Sequence, residues 1–199
     1  MANNNTGDDL HAKKLLLRKK HLLERNAMDK GKRAELSEII SNRIVALDRF
    51  KASENILLYS NYGSEADTGL LQEISEKLGK KIFYPKVQGE DMIFYKITSL
   101  TSMAEGYKGI MEPVGDTDVW KGETNSMIIV PGAVFHPKGY RIGYGKGFYD
   151  RFLSKYPKLF SVGICFSNQV DEALIPEAFD IPLHLIVTEK ERYEQNEFN

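Results

Sequence analysis

The chain has 199 residues, 27 lysines and arginines against 28 aspartates and glutamates, a net charge of −1 and 42% hydrophobic residues. This balance describes a globular chain with a substantial core in one moderate domain. It excludes a disordered or fibrous protein and one that is basic throughout and lives on nucleic acid. A single cysteine, Cys165, excludes an internal disulfide and a CxxC metal site. No apolar run approaches the roughly 18 residues of a membrane span. The start, MANNNTGDDLHAKK, carries no apolar leader core, so a cytoplasmic protein is expected.

Residues 1–9 are polar and Asn-rich and are expected to form a disordered tail, leaving 10–199 as a single α/β domain. From about Leu10 to Met28, Leu15, Leu16, Leu22 and Leu23 repeat at a seven-residue step, predicting an amphipathic helix. Between Asp8 and Arg33 nine basic residues face four acids. Charge alone leaves open an anion site, a nucleic-acid patch or a solvated helix face, the last being the commonest outcome. A second helix is predicted from Arg33 to Leu47, with Leu36, Ile40, Ile44 and Leu47 on one face.

The apolar run Asn55–Tyr59 predicts a buried strand, broken by Asn61-Tyr-Gly63. A helix from Gly69 to Leu78 follows, with Asp67 or Thr68 as N-cap and Gly79 as its C-terminal glycine. Lys81–Tyr84 is the next predicted strand, closed by Pro85, and Met92–Ile97 another, joined through the turn Gln88-Gly-Glu-Asp91. Residues 98–126 lack periodicity and are expected to be mostly loop. Met127–Val130 is an apolar strand ending at Pro131-Gly132. After a glycine-rich stretch, Gly139–Gly147, a helix is predicted over Phe148–Tyr156, then strands over Ser161–Phe166 and His184–Val187. The alternation predicts a three-layer α/β/α fold around a largely parallel sheet, with a basic N-terminal helix packed against it.

The chemistry concentrates in three places. Gly139, Gly143, Gly145 and Gly147 follow a buried strand and lead into a helix, which offers backbone N–H groups and a positive helix end to a phosphate. Arg141 and Lys146 add charge. The loop is neither a Walker A sequence nor a dinucleotide loop, and glycines serving only tight turns remain the competing reading. Asp150, at the helix start, suits a dipole contact or a Mg²⁺ ligand beside phosphates. Lys14 and Arg18, four apart, share one helix face and could clamp a polyphosphate, unless they are simply solvated. Glu65 lies beyond a strand end, where open α/β sheets bind ligands. It could anchor an amine-bearing ring or accept a proton, whereas Asp67 and Thr68 read as helix caps. His11, His21, His136 and His184 lack ligand spacing, Cys165 and Trp120 read as packing residues, and Asp180 as a turn residue that could join Asp150 at a metal.

Taken in order, these segments resemble the 5-formyltetrahydrofolate cyclo-ligase family, also called 5,10-methenyltetrahydrofolate synthetases. The resemblance runs from about residue 12 to 190. It is carried by Lys14-Leu-Leu-Leu-Arg18, Glu65-Ala-Asp-Thr68, Gly109-Ile-Met-Glu-Pro113 and Pro131-Gly132. It continues through Arg141-Ile-Gly-Tyr-Gly-Lys-Gly-Phe-Tyr-Asp150, Val162-Gly-Ile-Cys-Phe166, Gln169, Asp180-Ile-Pro182 and Val187-Thr-Glu189. It implies a ribose-isomerase/CoA-transferase-like α/β fold and an ATP- and Mg²⁺-dependent enzyme that converts 5-formyltetrahydrofolate to 5,10-methenyltetrahydrofolate with release of ADP and phosphate. It further implies that Lys14 and Arg18 contact ATP, together with Arg141, Ile142, Gly143, Tyr144, Gly145, Lys146, Gly147, Phe148 and Tyr149. Asp150 and Asp180 would hold Mg²⁺. Glu65 would bind the pterin, with Ser60 and Tyr144–Phe148 lining the folate pocket.

The implied chemistry needs phosphoryl positioning more than a covalent nucleophile, which fits catalytic roles for Lys146 and Arg141 and the lack of a Ser/His or Cys/His pair. The expected partners are small molecules, with no nucleic acid or membrane, and the expected state a monomer or weak dimer. Two other readings compete. A non-catalytic nucleotide- or sugar-phosphate-binding regulator would keep the glycine loop but need neither Asp150 and Asp180 nor Glu65. An RNA-binding role for the basic helix would call for interleaved aromatics, and residues 10–33 contain none.

Overall fold

In the computed structural model the described residues are 5–98, 103–106, 109–114 and 118–195, with side chains from Asp9 onward. Seven strands form one sheet in the order β11-β10-β9-β6-β1-β2-β3. Its parallel centre is β10 (Leu185–Val187), β9 (Phe160–Ile164), β6 (Ser126–Val130), β1 (Asn55–Leu57) and β2 (Lys81–Gln88). The antiparallel β3 (Asp91–Ile97) and β11 (Arg192–Glu194) close the two edges.

Every residue of β1, β6 and β10 is buried, as a sheet covered on both faces requires. Alternate residues feed two cores. Ile56, Met127, Ile129, Leu185 and Val187 face Leu36, Ile40 and Ile44 of α2 (Lys30–Val45) and Leu71 of α4 (Gly69–Lys77). Leu57, Ile128, Val130 and Ile186 face the other way, toward Phe152 and Leu153 of α5 (Phe148–Lys155). Three layers result, as the alternation of elements predicts. Gly163 in β9 is needed for close packing, because a Cβ there would lie 2.7 Å from the Phe135 ring and from Leu183.

Five expectations need correction. The helix α1 spans Asn5–Ala27, so the tail expected at 1–9 is helical from Asn5, with an ion pair between Lys13 and Asp9 one turn apart; residues 1–4 lie outside the described residues. Its leucines are not its buried face. Leu15, Leu16 and Leu23 are 44%, 68% and 61% exposed, whereas Lys14, His21 and Arg25 are buried. Only Leu17 and Leu22 pack, on a small cluster of Ala133, Val134, Ile142 and Leu174. Next, α2 starts earlier than expected because Asp29 caps it, its carboxylate accepting the Lys32 N–H at 3.0 Å.

Pro85 does not close β2. Beyond Phe83 that strand has lost β1 as a neighbour and keeps only β3, so it is an open edge where a missing N–H is tolerated. Finally, the loop expected over 98–126 contains a two-stranded ribbon of β4 (Met103–Glu105) and β5 (Met111–Pro113). Trp120 packs there as expected, against Phe152 and Tyr156, and donates its indole N–H to Ser126. Cys165 is likewise a core residue, its thiol pushed up by burial. No described helix is long and apolar enough to cross a membrane.

Candidate active site

The segment after β1 is cinched into a compact loop. The Tyr59 hydroxyl and the Asn61 amide both donate to the Ala66 carbonyl, and the Thr68 hydroxyl donates to Asn61 and to the Tyr59 carbonyl. Gly63, at φ +61°, makes the turn. Asp67 accepts the Gly69 N–H at 2.6 Å and so performs the capping while Thr68 occupies the N-cap position.

Glu65 emerges from this loop with only 8% exposure. Its Oε2 accepts the Tyr62 N–H at 2.9 Å and its Oε1 the Tyr144 hydroxyl at 2.8 Å. Burial raises its carboxyl above the ordinary glutamate value, against the opposing pull of those two hydrogen bonds and of Arg25.

Tyr144 belongs to the glycine loop between β8 (Arg141–Ile142) and α5. Gly145 has φ +92°, and Gly147, at φ +64°, occupies the N-cap of α5 and has no side chain with which to cap it. Arg18 lies against this loop. A Cβ on Gly145 would sit 3.4 Å from its Nη1, and its Nε is buried without a hydrogen-bond partner among the described residues. Burial lowers the Arg18 pKa.

A second pair of contacts joins the loop to the segment before β10. Arg141, itself buried, donates to Asp150 at 3.2 Å and to the Ile181 carbonyl at 3.4 Å, and Asp150 accepts the Ile181 N–H at 3.1 Å. Next door, Lys14 forms ion pairs of 2.6 Å with both Asp180 and Glu177. Asp180 and Asp150 thus sit at neighbouring positions, each with one oxygen engaged by a basic side chain. Mg²⁺ is ordinarily held by one or two carboxylates plus substrate phosphates and water. Two such carboxylates fit that mode, and no set of three or more His, Cys, Asp or Glu among the described residues could cage a metal by itself.

The fold therefore brings together Arg18 with Gly145, Arg141 with Asp150, Lys14 with Asp180, and Tyr144 with Glu65. Ile142 is buried beneath the loop, Gly143 has open space around it, and Phe148 and Tyr149 begin α5, the Tyr149 ring lying 5.8 Å from the Arg141 guanidinium. Lys146 is exposed, and its carbonyl accepts a hydrogen bond from Arg151. Ser60 donates to the Met111 carbonyl and so holds β5 beside the strand end.

Arg25, Ser64, Tyr62 and Glu177 were not singled out by sequence patterns. Arg25 donates to Ser64 Oγ at 2.9 Å, to the Gly132 carbonyl at 3.2 Å and to the Tyr144 hydroxyl at 2.8 Å. Its position on the face of Lys14, Arg18 and His21, at steps of four, three and four residues, was the available signal.

Comparison with known proteins bears on the whole of this arrangement. Residues 10–189 match the model of the 5-formyltetrahydrofolate cyclo-ligase family. A probable 5-formyltetrahydrofolate cyclo-ligase of Schizosaccharomyces pombe is 35% identical over 146 residues, covering 66% of this chain and 72% of that protein. The 5-formyltetrahydrofolate cyclo-ligase of Escherichia coli is 26% identical, covering 85% of this chain and 97% of its own length. The solved 5,10-methenyltetrahydrofolate synthetase of Aquifex aeolicus superposes with a TM-score of 0.82 at 36% identity, covering 94% of both chains. With a matched region that takes in most of α1, the Glu65 loop, the glycine loop and Asp180, the chain belongs to the 5-formyltetrahydrofolate cyclo-ligase family.

Proposed function

We propose that the protein closes the one-carbon bridge of a reduced folate, converting 5-formyltetrahydrofolate to 5,10-methenyltetrahydrofolate at the expense of ATP. The observation that carries this reading is the 2.8 Å hydrogen bond from Tyr144 to Glu65. It joins the loop suited to phosphates to a buried carboxylate suited to a ring that bears N–H donors. A non-catalytic nucleotide binder has no use for that junction.

A formamide is a weak electrophile because its nitrogen donates into the carbonyl. Transfer of the γ-phosphoryl of ATP to the formyl oxygen breaks the bond to ADP and leaves an imidoyl-phosphate-like carbon. N10 then attacks that carbon, and loss of phosphate with the N10 proton leaves the methenyl bridge. The demands on the protein are alignment and charge stabilisation. In this reading Glu65 fixes the pterin and Ser60 lines its pocket. Arg18, whose Nε has no hydrogen-bond partner among the described residues, and the N–H groups from Gly143 to Tyr149 receive the phosphates. Arg141 steadies the loop from beneath while adding positive potential, and the exposed Lys146 reaches the transferring phosphoryl. Mg²⁺ held by Asp150 and Asp180 would supply further neutralisation of phosphate charge when bound, and nucleotide would give Lys14 an alternative anionic partner.

Incubating the protein with 5-formyltetrahydrofolate and Mg-ATP is expected to produce methenyl absorbance with one ADP released per folate cyclised. ATP binding without any folate turnover would overturn the enzyme reading in favour of a nucleotide-binding module.

A further inference from the structure

Arg25 has a buried guanidinium, 3% exposed, and forms no ion pair with any carboxylate among the described residues. A buried charge without compensation is costly. Its compensation runs through one hydroxyl: Arg25 Nη2 donates to Tyr144 at 2.8 Å, and Tyr144 donates to Glu65 at 2.8 Å. We propose that Arg25 is a positioning residue for the folate, acting through Tyr144 to aim the Glu65 carboxylate. This rests on the reading of Glu65 as the pterin ligand.

The geometry gives the intervening hydroxyl a purpose. A guanidinium placed directly on Glu65 would take both carboxylate oxygens in a bidentate fork and leave little for a ligand. With Tyr144 between them, each oxygen of Glu65 carries one protein hydrogen bond, from Tyr144 or from the Tyr62 N–H, and retains a lone pair. A ring edge with two adjacent N–H donors can use both. The remaining donors of Arg25 lock the frame. Nε holds Ser64, the residue before Glu65, which in turn donates to Asn26, and Nη1 holds the Gly132 carbonyl, which also accepts the Gln169 amide at 3.1 Å. One side chain of α1 thereby fixes the Glu65 loop, the end of β6 and the glycine loop.

The charged and titratable groups facing Glu65 are Arg25 from α1, Tyr144 from the glycine loop, Tyr59 after β1 and Tyr149 from α5. Arg25 is the single cation among them, so its removal favours the protonated acid. In Arg25→Met the folate KM is expected to rise about 10–100-fold, the scale of a lost charge-assisted hydrogen-bond chain, while the ATP KM changes less than about threefold. The acidic limb of kcat/KM for folate is expected to move to higher pH, and Arg25→Lys to restore part of the loss.

Tyr144→Phe cuts the same chain at a half-exposed position, so it serves where Arg25→Met fails to fold, and it is expected to move the limb in the same direction. Equal losses toward ATP and folate with an unmoved pH profile in the folded variants, while the wild type turns over, would overturn the role of Arg25. Absence of methenyl formation by the wild type itself would instead overturn the catalytic reading on which that role rests.

Discussion

At Glu65 burial and hydrogen bonding pull in opposite directions, and burial wins. The folded protein therefore holds that proton more tightly than the unfolded chain. The resulting stabilisation is complete below the ordinary glutamate value and is lost as pH rises through the raised one. Thermal unfolding of the wild type and Glu65→Gln between about pH 4 and about pH 8 is expected to show the variant gaining on the wild type as pH rises. A difference in Tm that stays constant over that span would contradict it.

Residue-level reasoning reached Glu65, Arg18 and the glycine loop because each carries a local mark: a strand end, a four-residue spacing, a glycine pattern. It did not reach Arg25 or Ser64. The Arg25 partners Ser64 and Tyr144 lie 39 and 119 residues away along the chain, and the helix-face spacing that Arg25 shares with Lys14, Arg18 and His21 does not reveal a counter-charge reached through a tyrosine from another loop.

Among the elements, β9 and β10 are joined by a neutral histidine. The Nδ1 of His184 accepts the Ser161 N–H at 3.2 Å, and the His184 backbone N–H donates to the Ser161 carbonyl at 3.1 Å. Burial, aided by Arg49, lowers its pKa to about 4. Because the folded value lies below the unfolded one, this strand junction is fully stabilising above the ordinary histidine value and loses that stability as pH falls toward about 4. The ring is part solvated, so the loss is discounted to about 1 kcal/mol, or roughly 2–4 °C in Tm at this chain length. His184→Asn is expected to flatten the fall in Tm between those limits, and an unchanged slope would rule the residue out as its source.

The strands were legible as apolar runs, since a sheet covered on both faces leaves them no alternation to obscure. Where neighbours decide, sequence misled. Pro85 reads as a stop, yet the pairing of β1 along β2 ends at Phe83, two residues before it, and leaves an edge that accepts proline. The repeating leucines of α1 read as its buried face, yet its docking is polar.

That polar docking governs the behaviour of the molecule as a whole. The sheet and its two apolar cores are held by burial. The helix α1 is held by Lys14 on Glu177 and Asp180, by His21 between the Asn168 carbonyl and Asp171, and by Arg25. Amide hydrogen exchange is expected to show α1 opening well before β6 and β9, and Mg-ATP is expected to slow exchange in α1 and across residues 141–150. Protection of α1 equal to that of β6 without any ligand would refute this division. The fold class was legible from the order of elements; the seating of α1 was not, because its acceptors are supplied by distant loops.

The contacts of Lys14 with Glu177 and Asp180 span 163 and 166 residues. During synthesis the first helix leaves the ribosome with its acidic partners still untranslated. The parallel strands β1, β2, β6 and β9 can assemble as they emerge, and Arg25 and His21 of α1 find their partners before Lys14 does, whose acids wait for the segment before β10. A chain halted before Glu177 would carry the glycine loop and Glu65 and yet lack half of the clamp on its first helix. The polar seating of α1 is thus finished only when the polypeptide is nearly finished.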